Sequence, residues 1–357
     1  MLRFLFALPG FHSEERGAEV ALLSVADELA RRGDHVTVIG SGPPREGPAY
    51  IYRQVRTINR RKLERLPFFP PFRSETVWED AAFAMGLRRA YNPRDYDITL
   101  TCNFPFTHWT LRRGGEQRPR HLYVTQNGNW PAVSDKAEFR FFGCDGLVCT
   151  NPDYEAETRH RWRTALIPNG IDPARFTAVV GNREEFGLPA DRSIVLMVSA
   201  LIDTKRVMEG MRAVARLPDV HFAVAGDGPL RDEVEALARE ILPGRFSRLS
   251  LPAARMPALY HSVDCFLHMS LTEAFGNVYV EAMASGLPVV AHDSERLRWI
   301  VGARDTLCDT ENADAVVEAL RLALACGRGA PDPRAQDFTW PAIATKYRDF
   351  ALEVLSR

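Results

Sequence analysis

Residues 270–293 read Ser-Leu-Thr-Glu-Ala-Phe-Gly-Asn-Val-Tyr-Val-Glu-Ala-Met-Ala-Ser-Gly-Leu-Pro-Val-Val-Ala-His-Asp. The apolar run Cys265 to His268 just before them predicts a strand, Glu273 to Gly276 a turn, and Asn277 to Ala284 a helix. Gly286 and Pro288 close that helix. Val289 to Ala291 then reads as the next strand of a parallel sheet. A strand, loop, helix, strand unit puts its loop at the carboxyl edge of the sheet, where open α/β folds bind ligands.

The loop's chemistry points to a phosphate. Gly276 lets backbone approach a ligand closely, and the N–H groups of Asn277, Val278 and Tyr279 open a helix whose positive dipole end suits an anion. Phe275, Gly276, Asn277 and Val278 are therefore expected to line a diphosphate. Glu273 and Glu281 flank this point. A carboxylate is a poor partner for phosphate but a good acceptor from vicinal hydroxyls, so two acids around a phosphate cradle suggest sugar, diphosphate, sugar. The plainer alternative makes Glu281 a helix acid complementing the dipole and Glu273 a solvated loop residue.

The stretch resembles the Glu-x7-Glu signature of retaining nucleotide-sugar glycosyltransferases of family 4, and the match runs unbroken from Glu281 through Val290. The resemblance implies a GT-B fold, an α/β architecture of two Rossmann-like domains facing a central cleft, with a C-terminal helix crossing back to the first domain. It implies that Glu273 contacts the donor sugar and Glu281 the ribose. It further implies retention by a front-face route in which the departing phosphate takes the acceptor proton, with no metal and no cofactor beyond the nucleoside-diphosphate sugar as co-substrate.

The 357-residue length suits two domains of about 150 to 180 residues. The expected division is 1–167, 168–338, and a terminal helix 339–357. An apolar share of 46% and a charged share of 25% are those of a soluble globular protein, and a net charge of -1 gives no field for nucleic acid. With no signal peptide and no run of 18 apolar residues, the expectation is a cytoplasmic protein, either free or peripheral at the inner membrane face. Six scattered cysteines have no metal-ligand spacing and read as buried free thiols.

Toward the amino terminus, Leu2 to Leu8 reads as a first strand, and Val20, Leu23, Ala26, Leu29 and Ala30 as the apolar face of the following helix. Gly17-Ala-Glu between them is similar to the family's Gly-Gly-x-Glu, with Ala18 in place of the second glycine; Gly17 is a donor-side candidate or a plain helix start. Between Arg53 and Arg73, seven cations (Arg53, Arg56, Arg60, Arg61, Lys62, Arg65, Arg73) interleave with Leu63, Leu66, Phe68, Phe69 and Phe72. Such a segment can touch an anionic membrane surface or a phosphorylated acceptor, or its phenylalanines can be tucked into a core. Asp95-Tyr-Asp97 has the form of a metal-binding pair, but it precedes the strand Ile98 to Cys102 at its amino end, so it reads as structural. Asn103 to His108 and Thr125 to Trp130 follow strands and are expected to face the cleft. Neither Gln126 nor Asn127 titrates, so Asn127 is a hydrogen-bonding catalytic candidate rather than a base.

Leu166-Ile-Pro-Asn-Gly-Ile-Asp172 breaks regular structure and resembles the family's interdomain segment. After the apolar strand Ser193 to Ser199 comes Ala200-Leu-Ile-Asp-Thr-Lys-Arg206, where the family has an Arg and a Lys on the diphosphate. Lys205 matches the Lys, Ala200 stands at the Arg, and Arg206 is a candidate substitute for its charge. Gly226-Asp-Gly-Pro229 is similar to a loop beside the nucleotide. Leu249 to Pro252 and Met256 to Tyr260 occupy the place of base contacts, which leaves UDP, GDP and ADP all open. Thr339 caps a last helix whose stripe is Ile343, Tyr347, Phe350 and Val354.

The sequence therefore predicts a retaining hexosyl transfer from a nucleotide sugar to a glycan or lipid-linked acceptor. Glu273, Lys205 and Asn127 are the catalytic candidates, with Glu281, Phe275, Gly276, Asn277, Val278, Arg206, Gly226 and Gly17 on the donor. The alternatives are a nucleotide-sugar 2-epimerase of the same fold and a non-catalytic nucleotide-binding homologue.

Overall fold

The computed structural model describes residues 1–58, 62–63, 65–177, 179–273, 275–304 and 306–356. Arg60 and Arg61 of the basic segment lie outside the described residues. The chain divides into two compact units, Met1–Gly170 with Trp340–Arg357, and Ile171–Thr339.

In the first unit the strands are β1 (Arg3–Ala7), β2 (His35–Gly40), β3 (Ile51–Gln54), β4 (Ile98–Thr101), β5 (Arg120–Val124), β6 (Gly146–Cys149) and β7 (Thr164–Leu166). They form one parallel sheet in the order β3-β2-β1-β4-β5-β6-β7, with Phe4 paired to Val36 on one side and Ile98 on the other. Strand order reverses between β1 and β4, so this sheet has a switch point at their carboxyl ends. The helices are α1 (Gly17–Arg31), α2 (Glu75–Ala90), α3 (Phe106–Leu111), α4 (Trp130–Val133) and α5 (Pro152–Thr158).

Burial corrects the reading of α1. Val20 is 42% exposed, and besides Glu19 and Ala21 the buried positions are Leu22, Val25, Ala26 and Leu29. Their spacing of three, four and seven residues is one helical face, turned from the expected one because Leu22 rather than Val20 meets the sheet. The last helix, Trp340–Leu355, belongs to this same unit. Its Ile343, Tyr347, Phe350 and Val354 enter the core formed by Phe4, Phe6 and α1. A polar seam fixes it there: Arg32 reaches Thr345 Oγ1 at 2.5 Å, and Arg348 Nε meets the buried Asp34 carboxylate at 2.9 Å. We expect Arg348→Ala to cost about 1 kcal/mol, because Asp34 keeps the Leu2 N–H at 2.8 Å but loses its cation. A urea-unfolding midpoint checks this value.

Two further readings are settled by this unit. Asp97 accepts the Arg3 backbone N–H at 2.8 Å and its guanidinium at 2.7 Å, tying the amino ends of β1 and β4. His108 is not on an open face but fully buried, its Nδ1 3.1 Å from His121 Nε2, whose other nitrogen lies 2.9 Å from Thr99 Oγ1. Burial holds both imidazoles uncharged, with His121 pushed down to about 3.

The second unit carries β8 (Ser193–Val198), β9 (Val220–Ala225), β10 (Phe246–Leu249), β11 (Cys265–His268), β12 (Val289–His292) and β13 (Leu307–Cys308). These too are parallel, in the order β10-β9-β8-β11-β12-β13. Its helices are α6 (Ala174–Thr177), α7 (Val207–Ala215), α8 (Arg231–Ile241), α9 (Met256–His261), α10 (Asn277–Ala284), α11 (Glu295–Val301) and α12 (Ala313–Cys326); the terminal helix is then α13. Reversal of order falls between β8 and β11. The loops after these two strands, 199–206 and 269–276, therefore flank the crevice. All six cysteines are free thiols; Cys326 is exposed, against the expectation of burial.

No helix among the described residues is long and apolar enough to cross a membrane.

Candidate active site

The helix α10 starts where the sequence says it should, and for the stated reason. Gly276 sits at φ 86°, the left-handed region, directly before Asn277. A Cβ at this position would meet the Tyr279 ring at 2.5 Å. Gly276→Ala is accordingly expected to cost about 1–2 kcal/mol in stability and to displace the helix start; thermal unfolding with and without nucleotide reads both effects. One detail differs from expectation: the Tyr279 N–H already donates to the Gly276 carbonyl at 3.1 Å. Among the described residues, the N–H groups of Asn277 and Val278 have no partner and remain for an anion.

Phe275 is corrected more strongly. Its ring is 1% exposed and sits against Trp299 and Phe338, so it anchors the loop in the core of the second unit. Only its backbone is left for a donor. Val278 is half-buried against the same core.

Around this turn the two switch-point loops are already joined. Lys205 Nζ, from the loop after β8, donates to Glu273 Oε1, from the loop after β11. Ser270 Oγ donates to the Thr204 carbonyl at 3.1 Å. Arg296, at the start of α11, donates to the Glu273 carbonyl. Arg206 occupies a left-handed conformation at φ 53°, and its guanidinium lies on the Met269 carbonyl at 3.3 Å and the Thr310 carbonyl at 3.1 Å. It is thus a brace between loops, not a cation turned to the Gly276 turn. Glu273 Oε2 has no hydrogen-bond partner among the described residues. One carboxylate oxygen is held and the other remains to accept a hydroxyl.

Glu281 lies one turn inside α10. Its Oε2 accepts the phenol of Tyr260 at 2.9 Å, and burial raises the carboxyl above the ordinary glutamate range, opposed by that hydrogen bond and by Arg175. A buried acid with one partner and one spare oxygen needs a second donor to be satisfied, and a vicinal diol is one kind of group that can supply it.

Gly226 explains itself by contact. A Cβ there would meet the Ser199 carbonyl at 1.8 Å, so the glycine lets the β9 loop press on the loop that leads to Lys205. Gly17 and Asn127 belong to the first unit. A Cβ at Gly17 would meet nothing within 4 Å, while the neighbouring Glu19 is buried and paired with Arg16 at 2.6 Å. The Asn127 amide reaches the Cys102 carbonyl at 3.4 Å, and Gln126 is paired with Asn169. The parts played by Tyr260, Arg296 and His268 were missed in the sequence: Tyr260 and Arg296 act on acids more than twenty residues away, and His268 acts around a strand end on Ser270, Glu273 and Tyr279.

The matching sequence families bear directly on this arrangement. Residues 181–338 match glycosyl transferases group 1, and residues 16–175 match glycosyltransferase family 4. A D-inositol 3-phosphate glycosyltransferase of Mycobacterium leprae is 34% identical over 400 residues, covering 96% of this chain and 90% of that one. The lipopolysaccharide core biosynthesis glycosyltransferase LpsE of Rhizobium meliloti is 30% identical over 52% of this chain and 55% of its own. A GDP-mannose-dependent alpha-(1-6)-phosphatidylinositol monomannoside mannosyltransferase of Mycolicibacterium smegmatis is 32% identical over 48% of this chain and 52% of its own. The match thus spans about half the length of these last two relatives. Sucrose-phosphate synthase from Thermosynechococcus elongatus superposes with a TM-score of 0.80 at 20% identity, covering both chains completely.

Two Rossmann-like units with this likeness define a GT-B-type α/β protein. The chain belongs to glycosyltransferase family 4.

Proposed function

We propose that the chain transfers a sugar from a nucleoside diphosphate to an acceptor hydroxyl with retention at the anomeric carbon. The observation that carries this reading is the constellation in the second unit's crevice: Lys205 on Glu273, beside the open N–H groups of α10, with Glu281 one turn inside. On donor binding, Lys205 and the α10 start take the diphosphate, Glu273 accepts from a hydroxyl of the sugar, and Glu281 accepts from the ribose. The bond from anomeric carbon to phosphate oxygen breaks, the bond to the acceptor oxygen forms on the same face, and the acceptor proton passes to the departing phosphate. Lys205 counters the charge that grows on that phosphate in the transition state. No carboxylate nucleophile is required, and turnover is expected to survive EDTA.

GDP-mannose dependence and lipid or inositol phosphate acceptors in the relatives' names support a nucleotide sugar and a glycan or lipid-linked acceptor. Calorimetric titration with UDP, GDP and ADP, then with UDP-glucose and GDP-mannose, tests the reading. Preferential binding of one nucleotide supports it; no binding to any of them overturns it.

For the acceptor side we propose peripheral contact with an anionic membrane. Phe68 and Phe69 are 55% and 48% exposed beside the exposed Lys62 and Arg65, so they are not tucked into a core. Phe72 instead stacks on Trp78 at 3.8 Å. Co-sedimentation with phosphatidylglycerol vesicles, lost in a Phe68→Ser, Phe69→Ser double variant, checks it; equal binding of the two proteins sinks it.

A further inference from the structure

We infer that His268 is the residue that positions Glu273: its imidazole is oriented by Ser270 and Tyr279 so that a ring N–H is presented to the Glu273 carboxylate. This inference rests on the reading of Glu273 as the donor-sugar contact.

His268 ends β11, behind the apolar Cys265, Phe266 and Leu267, and is 1% exposed. A buried imidazole must place both nitrogens. Its Nδ1 lies 3.3 Å from the Ser270 backbone N–H and 3.1 Å from the Tyr279 hydroxyl. A backbone N–H can only donate, so Nδ1 is the accepting nitrogen and the ring proton sits on Nε2. Nε2 faces Glu273 Oε1 at 3.5 Å, the same oxygen that Lys205 holds. At that distance the contact is long, and contacts of this kind shorten when substrate closes the site.

The ring therefore links three things that must keep register. Tyr279 lies in the first turn of α10, Ser270 near the start of the loop, and Glu273 midway along it. Burial pushes the imidazole down to about 4, helped by Lys205 and opposed by Glu273, so at neutral pH it offers a directed N–H and no charge. With Lys205 on Oε1 and the imidazole Nε2 facing the same oxygen, Oε2 is left as the oxygen that meets the sugar.

The test separates the two ring nitrogens. In His268→Asn the amide replaces the Nδ1 side and cannot reach Glu273, whereas in His268→Gln the longer side chain carries an amide N–H to the Nε2 position. With UDP-glucose and GDP-mannose as donors, we expect His268→Asn to lower kcat about tenfold while nucleotide Kd stays within about twofold, and His268→Gln to recover kcat to within about threefold of the parent. Equal losses in both variants, or a loss in nucleotide affinity matching the loss in kcat, would mean that the ring only fills space and would overturn the inference.

A second readout stands without turnover. Long-range nitrogen–proton NMR of histidine-labelled protein should give His268 as the Nε2–H form, with its resonance moving in Glu273→Gln. An Nδ1–H form, or a resonance blind to that substitution, overturns the inference even if a variant fails to fold. Absence of nucleotide binding by the parent would instead sink the proposed function, and the NMR result would still decide the placement of His268.

Discussion

Glu273→Gln is expected to lower turnover about 10²- to 10³-fold while leaving nucleoside diphosphate binding as tight as in the parent or tighter. The amide has the size of the acid but no charge, so Lys205 loses the anion that holds it beside the crevice. The sugar hydroxyl loses an ionised acceptor in the transition state. Free nucleotide, which has no sugar, loses nothing and gains by the removal of a negative charge near its phosphates. Single-turnover kinetics alongside calorimetry separate these effects. Equal losses in nucleotide affinity and turnover would show that Glu273 acts on the diphosphate or on the fold, not on the sugar.

Glu281→Gln should move stability and binding in opposite directions. The carboxyl is almost completely buried, with Tyr260 as its hydrogen-bonded partner, and burial raises its pKa. A carboxyl that holds its proton more tightly when folded favours the fold in acid. That contribution is lost as pH rises from the ordinary glutamate range through the raised folded value. Wherever the carboxyl is ionised the parent keeps a buried charge at a cost, and the amide removes that cost. We expect the variant to be more stable by about 1 kcal/mol at pH 7.5 without ligand, with the advantage shrinking on acidification. Nucleotide affinity should fall by about 2–3 kcal/mol, some 30- to 150-fold, as the ionised acceptor for the ribose is lost. Urea midpoints at two pH values and one calorimetric series read all of this. A variant less stable than the parent at pH 7.5 would mean that the carboxylate is better satisfied than its single phenol suggests.

What could be read in the sequence was what is written locally. Residues 265–291 were legible because strand, turn, helix and strand are each punctuated by their own glycine or proline, and because two acids eight positions apart face one helix start. The stripe of α13 was legible by the same periodicity. What failed were statements about where a side chain goes across the fold. Phe275 lies in a motif expected to line the donor, yet its ring is claimed by Trp299 and Phe338, more than twenty residues away. His108 follows a strand end, but its partner is His121 on the next strand, inside the core. Arg206 was expected to stand in for an arginine absent at Ala200, and it braces Met269 and Thr310 instead. Arg296, Tyr260 and His268 went unseen for the complementary reason: their importance comes from the group they touch, and that group lies about twenty residues away or across a strand end.

Helix α13 follows the second unit in the chain, and its partner α1 precedes that unit. Between them runs the whole of the second unit, one uninterrupted stretch from Ile171 to Thr339. During synthesis the later unit can therefore complete its core while the earlier one still exposes Phe4, Phe6 and Leu22 and awaits Tyr347 and Phe350. Of the two units, the one begun earlier is completed later, and it is there that a nascent chain would need shelter from aggregation.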